Sequence, residues 1–214
     1  MTNLPVKDEL EHLPFRSVVA YAARCAHRVQ PLNAQWVQDA NSLGMVLWAI
    51  GVAEKFARDR PVLPEEYDGE MEADVGRAAL VADHESAYAA VYALRATVYA
   101  VLACNEEAAP YAAEAVASFA GLAAEGSGYG AAQAAKSSPD DEDAYAAAHA
   151  AITQFARDDF EKLRALNLGE PRTMGESIDP SEQGPLGSLW PDGEPAWHAQ
   201  ESENLERMTQ RSEA

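Results

Sequence analysis

The sequence predicts an all-α protein, a single antiparallel bundle of five or six helices followed by an irregular Pro/Gly-rich C-terminal tail. Apolar residues recur every three or four positions, and no segment alternates convincingly like a strand. Short connections between helical segments favour antiparallel neighbours. Alanine supplies much of the 48% apolar content, which lets helices approach closely. We expect a thin, extensive core with large anchors at Trp36, Trp48, Phe56, Phe119, Phe155 and Phe160.

Two helices are predicted before residue 60. A proline suits the first turn of a helix, and the apolar residues after Pro14 follow helical spacing until Pro31. This pattern predicts a first helix over about Pro14–Gln30. A second helix fits about Asn41–Arg58, because its apolar residues share one face and two prolines follow it.

Three further helices are predicted between residues 65 and 166. The third spans Glu65–Cys104, with a break near Asp83, and its second half has the most regular apolar stripe in the chain. The fourth begins near Pro110 and should stop at Gly126–Gly128, because two glycines disfavour a helix. The fifth spans about 140–166, with acidic residues at its positive end. These helices complete a bundle assigned to residues 1–168.

The C-terminal part has a different composition. Residues 169–198 form an irregular tail, expected to dock on the bundle, and 199–214 form a mobile or weakly helical terminus. Exposed tryptophans are costly in a flexible stretch, so Trp190 and Trp197 are expected to insert into an apolar surface. That surface is either a groove of the chain's own bundle or a partner protein, for which the tail would be a linear motif.

Charge is distributed unevenly along the chain. Residues 1–60 carry 7 Lys/Arg against 6 Asp/Glu, whereas residues 61–214 carry 9 against 29, and the whole chain has a net charge of −19. Such a field repels nucleic-acid phosphates and anionic membranes, so a protein partner with a basic surface is expected. The same repulsion favours a monomer or a salt-dependent homo-oligomer. The first residues lack an apolar signal region, and we expect a cytoplasmic protein.

Basic residues cluster on one face of the first predicted helix. A helical wheel places Arg16, Arg24, His27 and Arg28 within one third of the circumference, opposite the apolar face. Guanidinium groups on one face can bind a phosphate or carboxylates, so these four residues are a candidate anion site. The alternative is that they pair with the chain's own acidic helices or face solvent.

Tyrosine and arginine share a stripe on the third predicted helix. Tyr88, Tyr92, Arg95 and Tyr99 follow one another at spacings of four, three and four. These residue types dominate many protein interfaces, so the stripe is a candidate partner-binding surface together with Trp190 and Trp197. It could equally be the flank of a helix–helix contact, with the rings covering the core.

The sequence contains no recognised catalytic signature. HExxH, a P-loop and Gly-x-Ser-x-Gly are absent. Asp83-His84-Glu85 is a compact group of metal-ligand types, but adjacent helical residues diverge by about 100°. Asp158-Asp159 is interpreted as a solvated helical face, and Cys25 as a core thiol. No cofactor and no metal are expected.

These observations favour a non-catalytic protein-interaction protein, such as an adaptor, an inhibitor or an immunity-type partner of a basic protein. An alternative is a helical-bundle enzyme or small-ligand-binding protein with a site between the first and third helices. That site would be lined by Arg16, Arg24, His84, Tyr88, Tyr92 and Arg95. A deep cavity where these groups converge would favour the alternative.

Overall fold

The computed structural model describes residues 3–36, 40–60, 76, 85–102, 109–136 and 140–212. The predicted all-α bundle is confirmed, and no strand occurs within these ranges. Eight α-helices are present there: α1 Lys7–Leu10, α2 Phe15–Val29, α3 Asn33–Trp36, α4 Ala40–Ala57, α5 Glu85–Leu102, α6 Ala109–Ala135, α7 Glu142–Leu166 and α8 Ala196–Ser212.

The helices α2 and α4–α7 correspond to the five predicted from the periodicity. The helix count is slightly higher because the short helices α1 and α3 and the terminal helix α8 were not predicted as separate bundle elements. For the third predicted helix, only Gly76 and Glu85–Leu102 can be compared, and the predicted break near Asp83 lies outside the described residues.

Helix α2 lies at the centre of the bundle and packs against α4, α5, α6 and α7. Every residue of α2 is buried except Arg16 and His27. A helix this enclosed normally carries apolar residues all round. Because α2 carries two buried arginines, the surrounding elements must supply groups that replace water around their charges.

The prediction that Gly126–Gly128 ends the fourth helix is wrong, because α6 continues to Ala135. Gly126, Ser127 and Gly128 are all buried. A Cβ atom added to Gly128 would lie 3.3 Å from the His149 ring on α7. The small residues therefore bring α6 and α7 close together, and this packing outweighs the helix-propensity cost of about 1 kcal/mol per glycine.

The start of α7 has the acidic character that its sequence predicts. The Asp141 carboxylate accepts a hydrogen bond from the Ala144 backbone N–H at 3.2 Å, and Glu142 and Asp143 occupy the first turn. These side chains satisfy one exposed donor and complement the positive end of the helix dipole. Farther along α7, the predicted anchors Phe155 and Phe160 are buried.

The predicted anchors in the first half of the chain differ in depth. Phe56 is buried, whereas Trp48 and Phe119 are partly buried and pack against the core. The Trp36 side chain lies outside the described residues. The core between these anchors is lined mainly by alanine, as the composition indicates.

The segment from 169 to 195, called here the C-terminal segment, is irregular and lies against the bundle. The backbone N–H groups of Phe15 and Arg16 donate to the Thr173 and Met174 carbonyls at 2.8 and 3.1 Å. The Ile178 N–H donates to the Ala57 carbonyl at 2.8 Å. The C-terminal segment thus caps the start of α2 and the end of α4, whose terminal backbone groups have no partner within their own helices.

A mobile or weakly helical terminus is expected over 199–214, and the structure has the helix α8 at Ala196–Ser212, which begins within the predicted tail. This helix packs against α3 and the 3₁₀ turn Gln30–Leu32, and Leu205 and Met208 contact the core. Across the described ranges, no helix combines the length and apolar character needed to span a bilayer.

We expect Gly121→Ala to stabilise the protein by roughly 0.5–1 kcal/mol, because alanine favours a helix interior. A Cβ at Gly121 meets no atom within 4 Å outside its own helix, whereas a Cβ at Gly128 meets His149. Gly128→Ala should therefore stabilise less than Gly121→Ala. Urea unfolding of both variants measures the difference. In a His149→Ala background, which removes the contacting ring, Gly128→Ala should raise the free energy of unfolding by as much as Gly121→Ala does. Equal increases for the two substitutions in the unmodified protein would contradict a close α6–α7 contact at Gly128.

Candidate functional site

Two arginines of α2 share one carboxylate inside the bundle. Arg24 Nε and Arg28 Nη2 both donate to Asp159 Oδ2 of α7, at 2.8 and 2.5 Å. Arg24 is 0% exposed, Arg28 is 1% exposed and Asp159 is 1% exposed. The cluster places two positive charges and one negative charge in a region from which water is excluded. Its single carboxylate is too little to balance both guanidinium groups.

Backbone carbonyls of the C-terminal segment surround the excess positive charge. Arg24 Nη1 donates to the Pro180 and Gly187 carbonyls, both at 3.0 Å, and Arg24 Nη2 donates to the Ser188 carbonyl at 3.0 Å. Arg28 Nε donates to the Leu189 carbonyl at 3.2 Å. Hydrogen bonds from a charged donor are stronger than neutral ones. These carbonyl dipoles therefore replace the hydration shell that the guanidinium groups lose.

The cluster is not fully hydrogen-bonded. No partner is found among the described residues for Arg28 Nη1 or Trp190 Nε1, although both atoms are buried. The Arg28 guanidinium carbon also lies 5.9 Å from the centre of the Phe155 ring, within the range of a cation–π contact. Buried donors without a hydrogen-bond partner reduce the net stabilisation that a buried polar network gives.

The other two members of the predicted anion site are paired at the edge of the bundle. Arg16 forms an ion pair with Asp59 and donates to the Gly175 carbonyl at 2.7 Å. His27 Nε2 lies 2.7 Å from Glu54 Oε1. Burial opposes ionisation of Glu54, but the hydrogen bond from His27 and the charges of His27 and Arg58 outweigh it. The pKa of Glu54 therefore lies below its ordinary value.

The four basic residues thus contact groups of their own chain, which is the alternative stated from the sequence. The helical wheel located their shared face correctly but could not show that the C-terminal segment covers Arg24 and Arg28. The interpretation of Asp158-Asp159 as a solvated face is wrong for Asp159, which is 1% exposed and accepts hydrogen bonds from Arg24 and Arg28 of α2. Asp158 is only half-buried and accepts a hydrogen bond from Gln154 at 2.7 Å.

The Tyr/Arg stripe lies over the contact between α5 and α6. The Tyr92 and Tyr99 rings stack on Phe119 of α6 with centroid distances of 6.2 and 5.3 Å, and Tyr88 stacks on Tyr92. The Arg95 guanidinium lies 5.6 Å from the centre of the Phe119 ring. All four stripe residues are half-buried, so their rings flank the core and leave a partly exposed aromatic surface.

The two tail tryptophans differ in exposure. Trp190 is 7% exposed, and its ring meets Phe155 edge-on at 5.8 Å. Trp197 lies in the first turn of α8 and is half-buried, and its ring centroid lies 5.8 Å from that of Trp190. Trp190 therefore fixes the C-terminal segment to α7, whereas Trp197 retains an exposed edge.

A small apolar groove opens beside Trp197. It has a volume of about 200 Å³ and lies between α7, α6 and the tail. Its lining includes Ala147, Ala151 and Phe155 of α7, Ala131 of α6, and both tail tryptophans. Ala147 and Ala151 are exposed, so the groove is open to solvent along α7. We call this feature the tryptophan groove.

Sequence reasoning missed the tryptophan groove, although it identified Trp190 and Trp197. The alanines of 146–151 follow helical spacing, but the pattern does not show which of them remain exposed. A signal was present in the sequence, because this stretch of α7 has many alanines and no large aliphatic residue before Ile152. A helix face of this kind leaves room for a neighbouring side chain.

The alternative site between the first and third predicted helices is not assembled by the contacts described. Arg24 bonds to α7 and the C-terminal segment, whereas Tyr92 and Arg95 contact Phe119 of α6. Arg16 pairs with Asp59 instead of joining them. His84, the sixth member of that set, lies outside the described residues.

The structure gives no metal site among the residues it describes, since no group of three or more His, Cys, Asp or Glu side chains is suitably placed there. The side chains of Asp83-His84-Glu85 lie outside those residues. Cys25 is fully buried in α2, and burial raises the pKa of its thiol to about 12 despite the nearby Arg28 charge. A thiol in this environment is a poor nucleophile at neutral pH.

Comparison of the chain with protein-family models, with curated proteins and with solved structures finds no match.

Asp159→Asn should destabilise the protein by about 3–5 kcal/mol, because it leaves the charges of Arg24 and Arg28 buried without a carboxylate. The matched control is Asp158→Asn on the adjacent, half-buried residue, which should change the free energy of unfolding by no more than about 0.5 kcal/mol. Urea unfolding followed by circular dichroism measures both. Similar small effects of the two substitutions would show that the buried cluster contributes little.

The thiol of Cys25 should resist modification in the folded protein. In a Cys104→Ser background, labelling by a thiolate-specific reagent at pH 8 should be slower by about a thousandfold in buffer than in denaturant, because folding raises the thiol pKa from 9.0 to about 12. The labelling rate follows from absorbance or mass spectrometry. Rapid labelling in buffer would contradict the burial of this part of α2.

Proposed function

We propose that this protein is a non-catalytic, acidic helical protein that binds a second protein with a basic surface, in the manner of an adaptor, an inhibitor or an immunity-type partner. One observation carries the proposal: the chain places many basic groups in contacts with itself and leaves many carboxylates at the surface. The whole chain has a net charge of −19, and among the residues that the structure describes the unpaired excess charge at the surface is negative.

The pairing of basic groups supports this charge separation. Arg24 and Arg28 are buried, and Arg157 donates to both Glu9 carboxylate oxygens, at 2.8 and 3.1 Å. Arg58 bonds to Asp179 at 2.9 Å. Exposed acidic residues occur on α6, on α7, in the C-terminal segment and on α8, and include Glu125, Asp143, Glu170, Glu176, Glu203 and Glu206.

An acidic exterior favours encounter with a positively charged protein, since opposite fields steer diffusion and raise the association rate. It also disfavours nucleic acid and anionic membrane as partners, because their phosphates repel the same surface. The field is long-ranged and weakly selective. Selectivity must come from apolar and aromatic contacts that form after encounter and determine how long a complex lasts.

Two surfaces have the residue types suited to those short-range contacts. One is the half-buried stripe of Tyr88, Tyr92, Arg95 and Tyr99, which combines aromatic area with polar tips. The other is the exposed edge of Trp197 in the tryptophan groove. Trp190, by contrast, is deeply buried, so its role in binding is to position Trp197 and the groove wall.

The proposal predicts a salt-dependent association rate. The protein should capture a basic protein from cells of its source organism, and the association rate of the purified pair should fall about tenfold or more between low and moderately high salt. Stopped-flow fluorescence or biosensor kinetics measures the rate, and the dissociation rate should change much less.

A variant with four fewer negative charges provides the control for this experiment. Replacing Glu125, Glu176, Glu203 and Glu206 by glutamine should slow association and reduce its salt dependence while leaving the circular dichroism spectrum unchanged. Recovery of a small-molecule cofactor without a protein partner would contradict the proposal. An association rate that is independent of salt would also contradict it.

A further inference from the structure

We propose that the tryptophan groove is a docking site for one large apolar side chain of a protein segment that carries Lys or Arg on either side of that residue. This inference rests on the proposed function and specifies the chemistry of the partner at one site. It follows from the size, the lining and the charged borders of the groove.

The size of the groove favours a side chain over a small-molecule ligand. Its volume of about 200 Å³ is below the roughly 300–1,000 Å³ of typical small-molecule pockets. A space of this size accommodates a single large aliphatic or aromatic side chain. The exposed alanines Ala147 and Ala151 let a partner backbone approach α7 closely enough for such a side chain to enter.

The lining is suited to an apolar anchor. Phe155 and Trp190 form an edge-to-face pair at its base, and Trp197 meets Trp190 in the same geometry. These contacts hold the aromatic walls in place before a partner arrives, which lowers the ordering cost of binding. Aromatic walls around a desolvated pocket are typical of the few positions that dominate the stability of a complex.

Carboxylates flank the lining residues along the sequence of α7 and of the tail. Asp143 lies one helical turn before Ala147, and Asp158 lies about one turn after Phe155 on the same side of α7. Asp192 and Glu194 are exposed in the loop that joins the two tryptophans.

The basic groups described near the lining contact groups of their own chain. Arg28, whose guanidinium carbon lies 5.9 Å from the centre of the Phe155 ring, is buried and donates to Asp159. His198 is paired with Glu194 at 2.5 Å, and Lys136 is paired with Glu142 at 2.8 Å. The borders therefore complement a partner that is positive on both sides of its apolar residue.

A matched pair of substitutions on α7 tests the site. Ala151→Phe places a ring in the groove, whereas Ala150→Phe adds the same ring to an exposed position of α7 that does not line the groove. Both positions are exposed, so circular dichroism and urea unfolding should show that both variants fold.

The probe is a displayed library of random peptides about 12 residues long, selected on the full-length protein. Selected peptides should share one large apolar residue flanked by Lys or Arg. When synthesised, such a peptide should bind Ala151→Phe at least about tenfold more weakly than the unmodified protein, and Ala150→Phe less than about twofold more weakly. Replacing its apolar residue by alanine should weaken binding to a similar extent.

The inference is overturned if selection yields no peptides with this pattern, or if Ala151→Phe and Ala150→Phe bind the selected peptides equally well. The same experiments distinguish failure of this inference from failure of the proposed function. A captured protein whose salt-sensitive association is unaffected by Ala151→Phe would preserve the proposed function and remove the groove from it. If peptides bind through the groove but no protein is captured from cells, the groove is supported as a binding site and the proposed function is not.

Discussion

The structure depends on how the positive charges of Arg24 and Arg28 are accommodated inside the bundle. Burial of an unpaired guanidinium is strongly unfavourable, and Asp159 supplies one negative charge for two positive ones. The Pro180, Gly187, Ser188 and Leu189 carbonyls supply the remaining electrostatic stabilisation. The burial of these arginines in α2 therefore depends on the C-terminal segment. The hydrogen-bonded groups are far apart in sequence, with 135 residues between Arg24 and Asp159 and 156 between Arg24 and Pro180.

The irregular backbone of the C-terminal segment is suited to this role. A regular helix or strand uses its carbonyls for its own hydrogen bonds, whereas an irregular segment can direct several of them at one guanidinium group. Close approach requires glycine at two positions. A Cβ at Gly184 would lie 2.0 Å from the Asp179 carbonyl oxygen, and Gly175 has a φ of +73° and lies against Pro14. The Pro/Gly-rich composition of this segment resembles that of a flexible linker. In this protein the segment packs closely against the bundle and covers Arg24 and Arg28.

The same arrangement connects the core to the surface proposed for binding. Arg28 lies against Phe155, Phe155 contacts Trp190, and Trp190 contacts Trp197. The buried cluster thus fixes the base of the tryptophan groove, and the groove opens where the alanine-rich start of α7 meets the tail. Internal pairing of the basic residues leaves the exterior acidic. One set of contacts therefore contributes both to stability and to the surface that we propose for binding.

The sequence predicts the helix bounds well where capping residues and the apolar face of the helix determine them. The first predicted helix, Pro14–Gln30, differs from α2 by one residue at each end, because proline and apolar spacing act locally. Long-range packing explains the failures. Gly126–Gly128 remains helical since α7 packs closely on it, and Asp159 is buried because the C-terminal segment and α2 meet there. No local pattern distinguishes Asp159 from Asp158, so the candidate site depends on contacts that periodicity cannot show.

Native-state hydrogen exchange at the Ile178 and Gly187 amides tests most directly whether the C-terminal segment is an integral part of the bundle. Both amides should exchange only through openings as costly as those of α2, and Arg24→Lys, which removes the planar guanidinium donors, should lower their protection more than that of α5. Exchange of these amides in the unmodified protein at the rate of an unstructured peptide would show that the C-terminal segment is not an integral part of the bundle.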